Sequence, residues 1–317
     1  MAESLLKRLS GSLDDVCEFI KIDYYIMVAD TDKRSFSGYE ILNNKNAIIG
    51  NIIVFDYTLQ RPPKDSEIEK DYYRLKNQPN VQYVRCEKDG DDCQYLSKLD
   101  IGKDSTVWID ISSMIVPCIF KVFYVLNKIK RLSSLDVIYS EPKYYDFFNG
   151  IYFDYDKDMV SREYKTLTEY YISTASKEVA LVCYLGFERM VSKYVHESNE
   201  HSETIAINGF PSFIPKIKDI SLEHNYELIS AIGLDQVKYV KANDPFASYN
   251  VLCSIAEQKQ YCILDICVLG SKPMALGACI FALKHQNIAK VSYPFAIEPQ
   301  KHSSKEISKT WWYTFDI

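Results

Sequence analysis

The sequence predicts an α/β protein: two Rossmann-like lobes with mostly parallel sheets covered by helices on both faces. Three observations predict it. Short runs rich in Val, Ile and Tyr alternate with helix-like segments along both halves of the chain. The runs are nearly continuous in hydrophobicity, as expected of strands buried on both faces of a parallel sheet. Polar turn residues follow the carboxyl end of one run after another.

In the first half the predicted strands are Tyr24–Ala29, Ile52–Tyr57, Val81–Cys86, Thr106–Ile111 and Leu135–Tyr139. The charged stretch Lys64–Asn77 and the segment Ile115–Arg131, apolar at helical spacing, intervene as helices. The second half repeats the scheme with strands at Val179–Leu185, Thr204–Ile207, Gln236–Val240, Tyr261–Leu269 and Ala289–Tyr293. Its helices lie near Glu188–His196, Asn225–Ile232, Phe246–Glu257 and Met274–His285. The Asp- and Tyr-rich segment Asp146–Ser176 breaks the rhythm and marks the junction. The expected organisation is therefore residues 1–145 as the first lobe, 146–176 as an excursion, and 177–317 as the second lobe. Trp311-Trp312-Tyr313 is expected as an edge strand or an aromatic seal against that second lobe, with an exposed aromatic patch for a partner as the alternative.

A chain of 317 residues that is 47% hydrophobic and 14% aromatic is long and apolar enough for one large core or two smaller ones. It is not a disordered, collagen-like or disulfide-scaffold sequence. The net charge of −6 argues against direct nucleic-acid binding, which needs a basic surface. The N-terminal residues lack a signal-peptide core, and the longest apolar stretch, Met114–Leu126, is interrupted by Lys121. Nine cysteines without a CxxC pair read as reduced thiols. A cytoplasmic protein without a membrane segment is the expectation. Abundant Tyr, Lys, Ile and Asn beside only 11 glycines fits an AT-rich, prokaryotic-type gene, and makes each remaining glycine more likely to be needed by the backbone.

Candidate site residues come from the turns. Open parallel sheets bind ligands beyond the carboxyl ends of their strands, where strand order reverses. Gly270-Ser271-Lys272-Pro273 combines a tight turn, a capping Ser, a cation and a Pro suited to the first helical position. It opens an apolar helix whose amino end would favour an anion, with Gly277 permitting close packing on the sheet. Gly186-Phe187-Glu188-Arg189 opens another helix, with Arg189 able to grip a phosphate or carboxylate, or to pair with Glu188 or Glu141 and brace the rim. Asn208-Gly209 and Asp244 offer ribose or base hydrogen bonds, or serve as turn and cap residues. The expected ligand-binding set is thus Gly186, Glu188, Arg189, Asn208, Gly209, Asp244, Gly270, Ser271 and Lys272.

Asp110-Ile111-Ser112-Ser113-Met114 partly resembles the DxSxS metal-site motif of von Willebrand factor A domains. Met114 stands where that motif has its second Ser, which removes an oxygen ligand, so no metal is expected. Asp110 and Glu141, at neighbouring strand ends, are the candidate acid/base pair. The sequence carries no GxSxG, HExxH, GxGxxG or Walker A pattern. The histidines fall on helices or connectors, with His196 and His201 bounding a solvent-exposed loop.

By architecture the chain resembles the Rossmannoid nucleotide sensors of prokaryotic defence systems, the CARF and SAVED type. That resemblance implies a nucleotide or other phosphorylated small molecule as ligand and a sensing role. Two other readings are a two-lobed phosphohydrolase or nucleotidyl or glycosyl transferase using Asp110 and Glu141, and a non-catalytic scaffold. The last would have a protein partner or a second copy of the chain. No cofactor is specified by any motif.

Overall fold

Runs such as Ile52–Phe55 and Ile263–Val268 are buried residue after residue, because helices cover both faces of the sheets they form. The structure is a computed structural model that describes residues 7–15, 20–30, 32–56, 66–86, 91–130, 135–145, 162–174, 177–188, 190–214, 217–260, 262–296 and 304–315. The chain is mixed α/β, with two sheets of mostly parallel strands, and it divides into two units. The first comprises Leu6–Phe148 and Ser303–Ile317, the second Asn149–His302.

The first unit contains β1 (Lys7–Ser12), β2 (Lys21–Ala29), α1 (Arg34–Asn44), β3 (Ile48–Asp56), α2 (Ser66–Lys76), β4 (Val81–Arg85), β5 (Val107–Asp110), α3 (Val116–Lys130) and β6 (Leu135–Tyr145). The second contains β7 (Arg162–Thr166), β8 (Val179–Tyr184), α4 (Val191–Glu197), β9 (Glu203–Gly209), α5 (Ile217–His224), α6 (Tyr226–Ile232), β10 (Val237–Val240), α7 (Pro245–Gln258), β11 (Ile263–Val268), α8 (Lys272–Lys284) and β12 (Ala289–Ala296). The last strand, β13 (Ser304–Phe315), returns to the first unit.

The two sheets share a plan. Five parallel strands run β4-β3-β2-β5-β6 in the first and β10-β9-β8-β11-β12 in the second. Numbered within each unit, both read 3-2-1-4-5, the Rossmann order. Each sheet then gains an antiparallel strand beside its fifth: β13 on β6, and β7 on β12. The exchange is reciprocal. The segment after β6 completes the second sheet, and the segment after β12 completes the first.

This overturns part of the expected organisation. Residues 303–317 belong to the first unit, and Trp311–Tyr313 lie in an interior strand between β1 and β6. There Trp312 stacks on Trp108 with centroids 5.9 Å apart, and its indole N–H donates to Asp136 at 2.9 Å. Cross-strand aromatic pairing and a fully buried Tyr313 and Phe315 explain why this strand completes a core. Of the junction, residues 146–161 and 175–176 lie outside the described residues. Arg162–Thr166 forms β7, an edge strand of the second sheet. Among the described residues no helix is long and apolar enough to cross a membrane. Of the nine cysteines, Cys17 lies outside the described residues and the others are free thiols, all buried except the half-buried Cys262.

Candidate functional site

In the second unit the order reverses between β8 and β11, so their carboxyl ends flank the switch point. After β8 comes Leu185-Gly186-Phe187-Glu188, and after β11 comes Leu269-Gly270-Ser271 leading into α8. The two loops interlock. A Cβ on Gly186 would stand 2.4 Å from the Leu269 carbonyl oxygen, and one on Gly270 would stand 3.4 Å from that of Leu185. At Gly186 only glycine lets the backbones approach this closely, whereas the distance at Gly270 is an ordinary contact.

Helix α5, which the sequence did not reveal, braces the first loop. The Gly186 carbonyl accepts from Ser221 Oγ at 3.1 Å and Asn225 Nδ2 at 2.9 Å. His224 Nδ1 lies 2.5 Å from the Phe187 carbonyl, which can only accept, so the proton sits on Nδ1. The signal that could have found α5 was a hydroxyl, an imidazole and an amide at helical spacing, Ser221, His224 and Asn225.

At α8 the Ser271 hydroxyl accepts from the Met274 N–H at 3.4 Å and donates to the Ala242 carbonyl. Ser271 is the N-cap, so Lys272 is the first helical residue and Pro273 the second, one place later than expected. Pro273 has no N–H and Met274 N–H is taken. Two of the amides in the first turn of α8 are therefore not available to an anion. Gly277 serves a different neighbour than expected. A Cβ there would stand 2.1 Å from the Pro245 carbonyl, so it lets α8 cross α7 rather than pack on the sheet.

The remaining predicted residues frame the site. Asp244 caps α7, its Oδ1 accepting from the N–H groups of Phe246 at 3.0 Å and Ala247 at 3.1 Å. Asn208 is buried and donates to the Lys218 carbonyl at 3.3 Å. Gly209 fits against Ala242 and Met274. Glu188 is engaged by Arg162 of β7 at 2.5 Å, a cation 26 positions away that no local pattern signals; Arg189 lies outside the described residues.

Asp110 and Glu141 belong to the first unit, and the sheet keeps them apart. Asp110 pairs with Ile138 across β5 and β6, so those two side chains share a face; Glu141, three residues beyond Ile138, points to the opposite one. Asp110 is buried under Gly38, accepting from Tyr25 Oη at 3.0 Å and the Ser112 N–H at 2.9 Å. Glu141 accepts from the Trp311 indole at 2.8 Å. Burial pushes its carboxyl up, against the hydrogen bonds from Trp311 and Ser308. The first unit has its own switch point between β2 and β5, where Ser35 Oγ donates to Ser113 Oγ at 2.8 Å. There Asp32 and Arg34 form an ion pair at 2.7 Å. The sequence reading missed this loop, although acidic and hydroxyl residues follow an apolar strand there. Among the described residues no group of three His, Cys, Asp or Glu side chains could hold a metal ion.

The connector between His196 and His201 is largely exposed, but the His201 side chain that ends it is buried, with Nε2 3.4 Å from Asp265 Oδ2, which also accepts from Lys290 Nζ at 2.9 Å. Burial alone would raise the Asp265 carboxyl, yet the His201 hydrogen bond and the Lys290 charge hold it below the ordinary carboxylate range.

No family model and no curated protein sequence matches the chain. Among solved structures, a functionally unknown protein from Pseudomonas aeruginosa PAO1 aligns over 86% of this chain and 92% of its own at 7% identity, TM-score 0.26. A candidate universal stress protein from Pseudomonas aeruginosa UCBPP-PA14 aligns over 86% and 94% at 7% identity, TM-score 0.28. The Haemonchus contortus phosphoethanolamine N-methyltransferase 1, in complex with phosphoethanolamine and S-adenosylhomocysteine, aligns over 88% and 66% at 10% identity, TM-score 0.25. The α/β assignment therefore rests on the strand order of the chain itself.

Proposed function

We propose that the second unit binds a nucleotide or another phosphorylated small molecule at the carboxyl ends of β8 and β11, and that the protein acts as a sensor or regulatory component. The observation that carries the reading is the convergence, at one switch point, of two interlocked glycine loops and the start of α8 with Lys272. A hydrolase or transferase built on Asp110 and Glu141 has less support, because the two carboxylates lie on opposite faces of the other unit's sheet. As part of the same reading, the resemblance to prokaryotic nucleotide sensors favours a cytoplasmic role in anti-phage defence, with a protein partner or a second copy as the recipient of the signal.

A thermal-shift panel of nucleotides, sugar nucleotides and phosphosugars, each with and without Mg²⁺, tests the site. A ligand at about 100 times its Kd adds roughly 2.7 kcal/mol, a shift of several degrees at this size. The shift should persist without Mg²⁺ and shrink in Lys272→Ala. An unchanged shift in that variant would remove Lys272 from the site, and a panel without any shift would remove the site.

A further inference from the structure

Beside the switch point, on the flank formed by β9 and β10, the second unit exposes two large aromatic rings. Phe210 follows β9 directly and is 50% exposed; Tyr239, on the edge strand β10, is 48% exposed. Their centroids are 6.3 Å apart at 81°, edge to face. Lys218, in the first turn of α5, places Nζ 5.1 Å from the Phe210 ring centroid. An exposed aromatic pair flanked by a cation is a stacking surface for a flat π-system, and stacking on such a ring tolerates any base because every base has a π-face.

The position of this surface gives it meaning. Gly209, the residue before Phe210, fits against Met274 Sδ and Ala242 Cβ, where an added Cβ would stand 3.4 Å and 3.1 Å away. Met274 belongs to the first turn of α8, and Ser271 at its cap bonds the Ala242 carbonyl. The residue before Phe210 and the start of α8 thus share one seam, Gly209, Ala242 and Met274. A phosphosugar would use one end of that seam and leave the rings in water; a nucleotide would use both.

Resting on the phosphate site proposed above, we infer that the ligand carries a nucleobase, which stacks on the face of Phe210 opposite the Lys218 ammonium, with Tyr239 beside it. The ligand class is a nucleotide, with a purine favoured over a pyrimidine by its larger stacking area.

Isothermal titration of the full chain with AMP, ATP and ribose 5-phosphate tests the inference. Wild type should bind the nucleotides at least tenfold more tightly than ribose 5-phosphate. Phe210→Ala should weaken nucleotide binding by about 5- to 150-fold while leaving ribose 5-phosphate unchanged. Phe210→Leu, which keeps apolar bulk without a ring, should show the same loss, and Phe210→Trp should retain affinity. Equal affinity for nucleotide and ribose 5-phosphate, or nucleotide affinity unchanged in Phe210→Leu, overturns the platform and leaves the phosphate site standing. Failure of all three probes to bind wild type overturns the phosphate site and the platform with it.

Discussion

Replacing Gly186 with Ala probes the interlocked loops. The added Cβ would stand 2.4 Å from the Leu269 carbonyl oxygen and 3.0 Å from the Leu269 Cβ, whereas ordinary contacts begin at 3.4 Å. The obstacle is backbone, so no rotamer change relieves it. The two loops must part by about 1 Å, against the Ser221 and Asn225 hydrogen bonds that hold the Gly186 carbonyl. Overpacking of this kind costs about 1–3 kcal/mol, or a fall of about 2–12 °C in Tm for a unit of this length. Urea unfolding should show a lower midpoint at an unchanged slope, the mark of lost stability without a change in exposed surface. Gly11→Ala, where nothing lies within 4 Å, is the control and should stay within about 0.5 kcal/mol of wild type. A Gly186→Ala protein as stable as that control would refute the close approach of the loops and the switch-point geometry built on it.

Asp110→Ala should cost about 1–3 kcal/mol by leaving the buried Tyr25 hydroxyl without its acceptor, while leaving ligand affinity unchanged; a stable variant with lost binding would reverse that assignment. Asp265 has its carboxyl held below its ordinary value, so its contribution is present above about pH 4 and disappears as pH falls through the folded value. Asp265→Asn should therefore be destabilised by about 3–5 kcal/mol near pH 7, and its urea midpoint should approach that of wild type toward pH 3. A gap that widens in acid would contradict this. Ending the chain at His302 removes β13 and leaves β1 and β6 without the strand between them. The Trp108 emission should then shift to that of a solvent-exposed indole, and a native-like spectrum would contradict the strand exchange.

Most of the parallel strands were legible because they are buried on both faces and so read as unbroken apolar runs, whereas the partly exposed edge strands β4 and β10 were legible from their Val and Tyr content; all ten predicted strands overlap β2–β6 and β8–β12. The antiparallel ones were not. β7, Arg-Glu-Tyr-Lys-Thr, alternates half-buried and exposed residues, and β1 and β13 mix Lys and Ser with their apolar residues, so none has the continuous signature. Helix α1, with the sequence RSFSGYEILNN, was not legible because its buried apolar residues, Phe36, Tyr39 and Leu42, are interspersed with the equally buried Ser35, Ser37 and Gly38. At the site, the turn residues after β8 and β11 were legible, whereas their convergence depends on strand order, which no local pattern encodes. The separation of Asp110 from Glu141 likewise depends on register: a shift of one residue would move Glu141 to the other face.

The measurement that bears most directly on the account is amide hydrogen exchange of the full chain with and without saturating ATP. The account predicts slowed exchange at Leu185–Glu188, Asn208–Phe210 and Leu269–Ala275, with the first unit's loops at Asp32–Ser35 and Ile111–Ile115 unaffected. Protection confined to those first-unit loops would contradict it and move the ligand site to the other switch point.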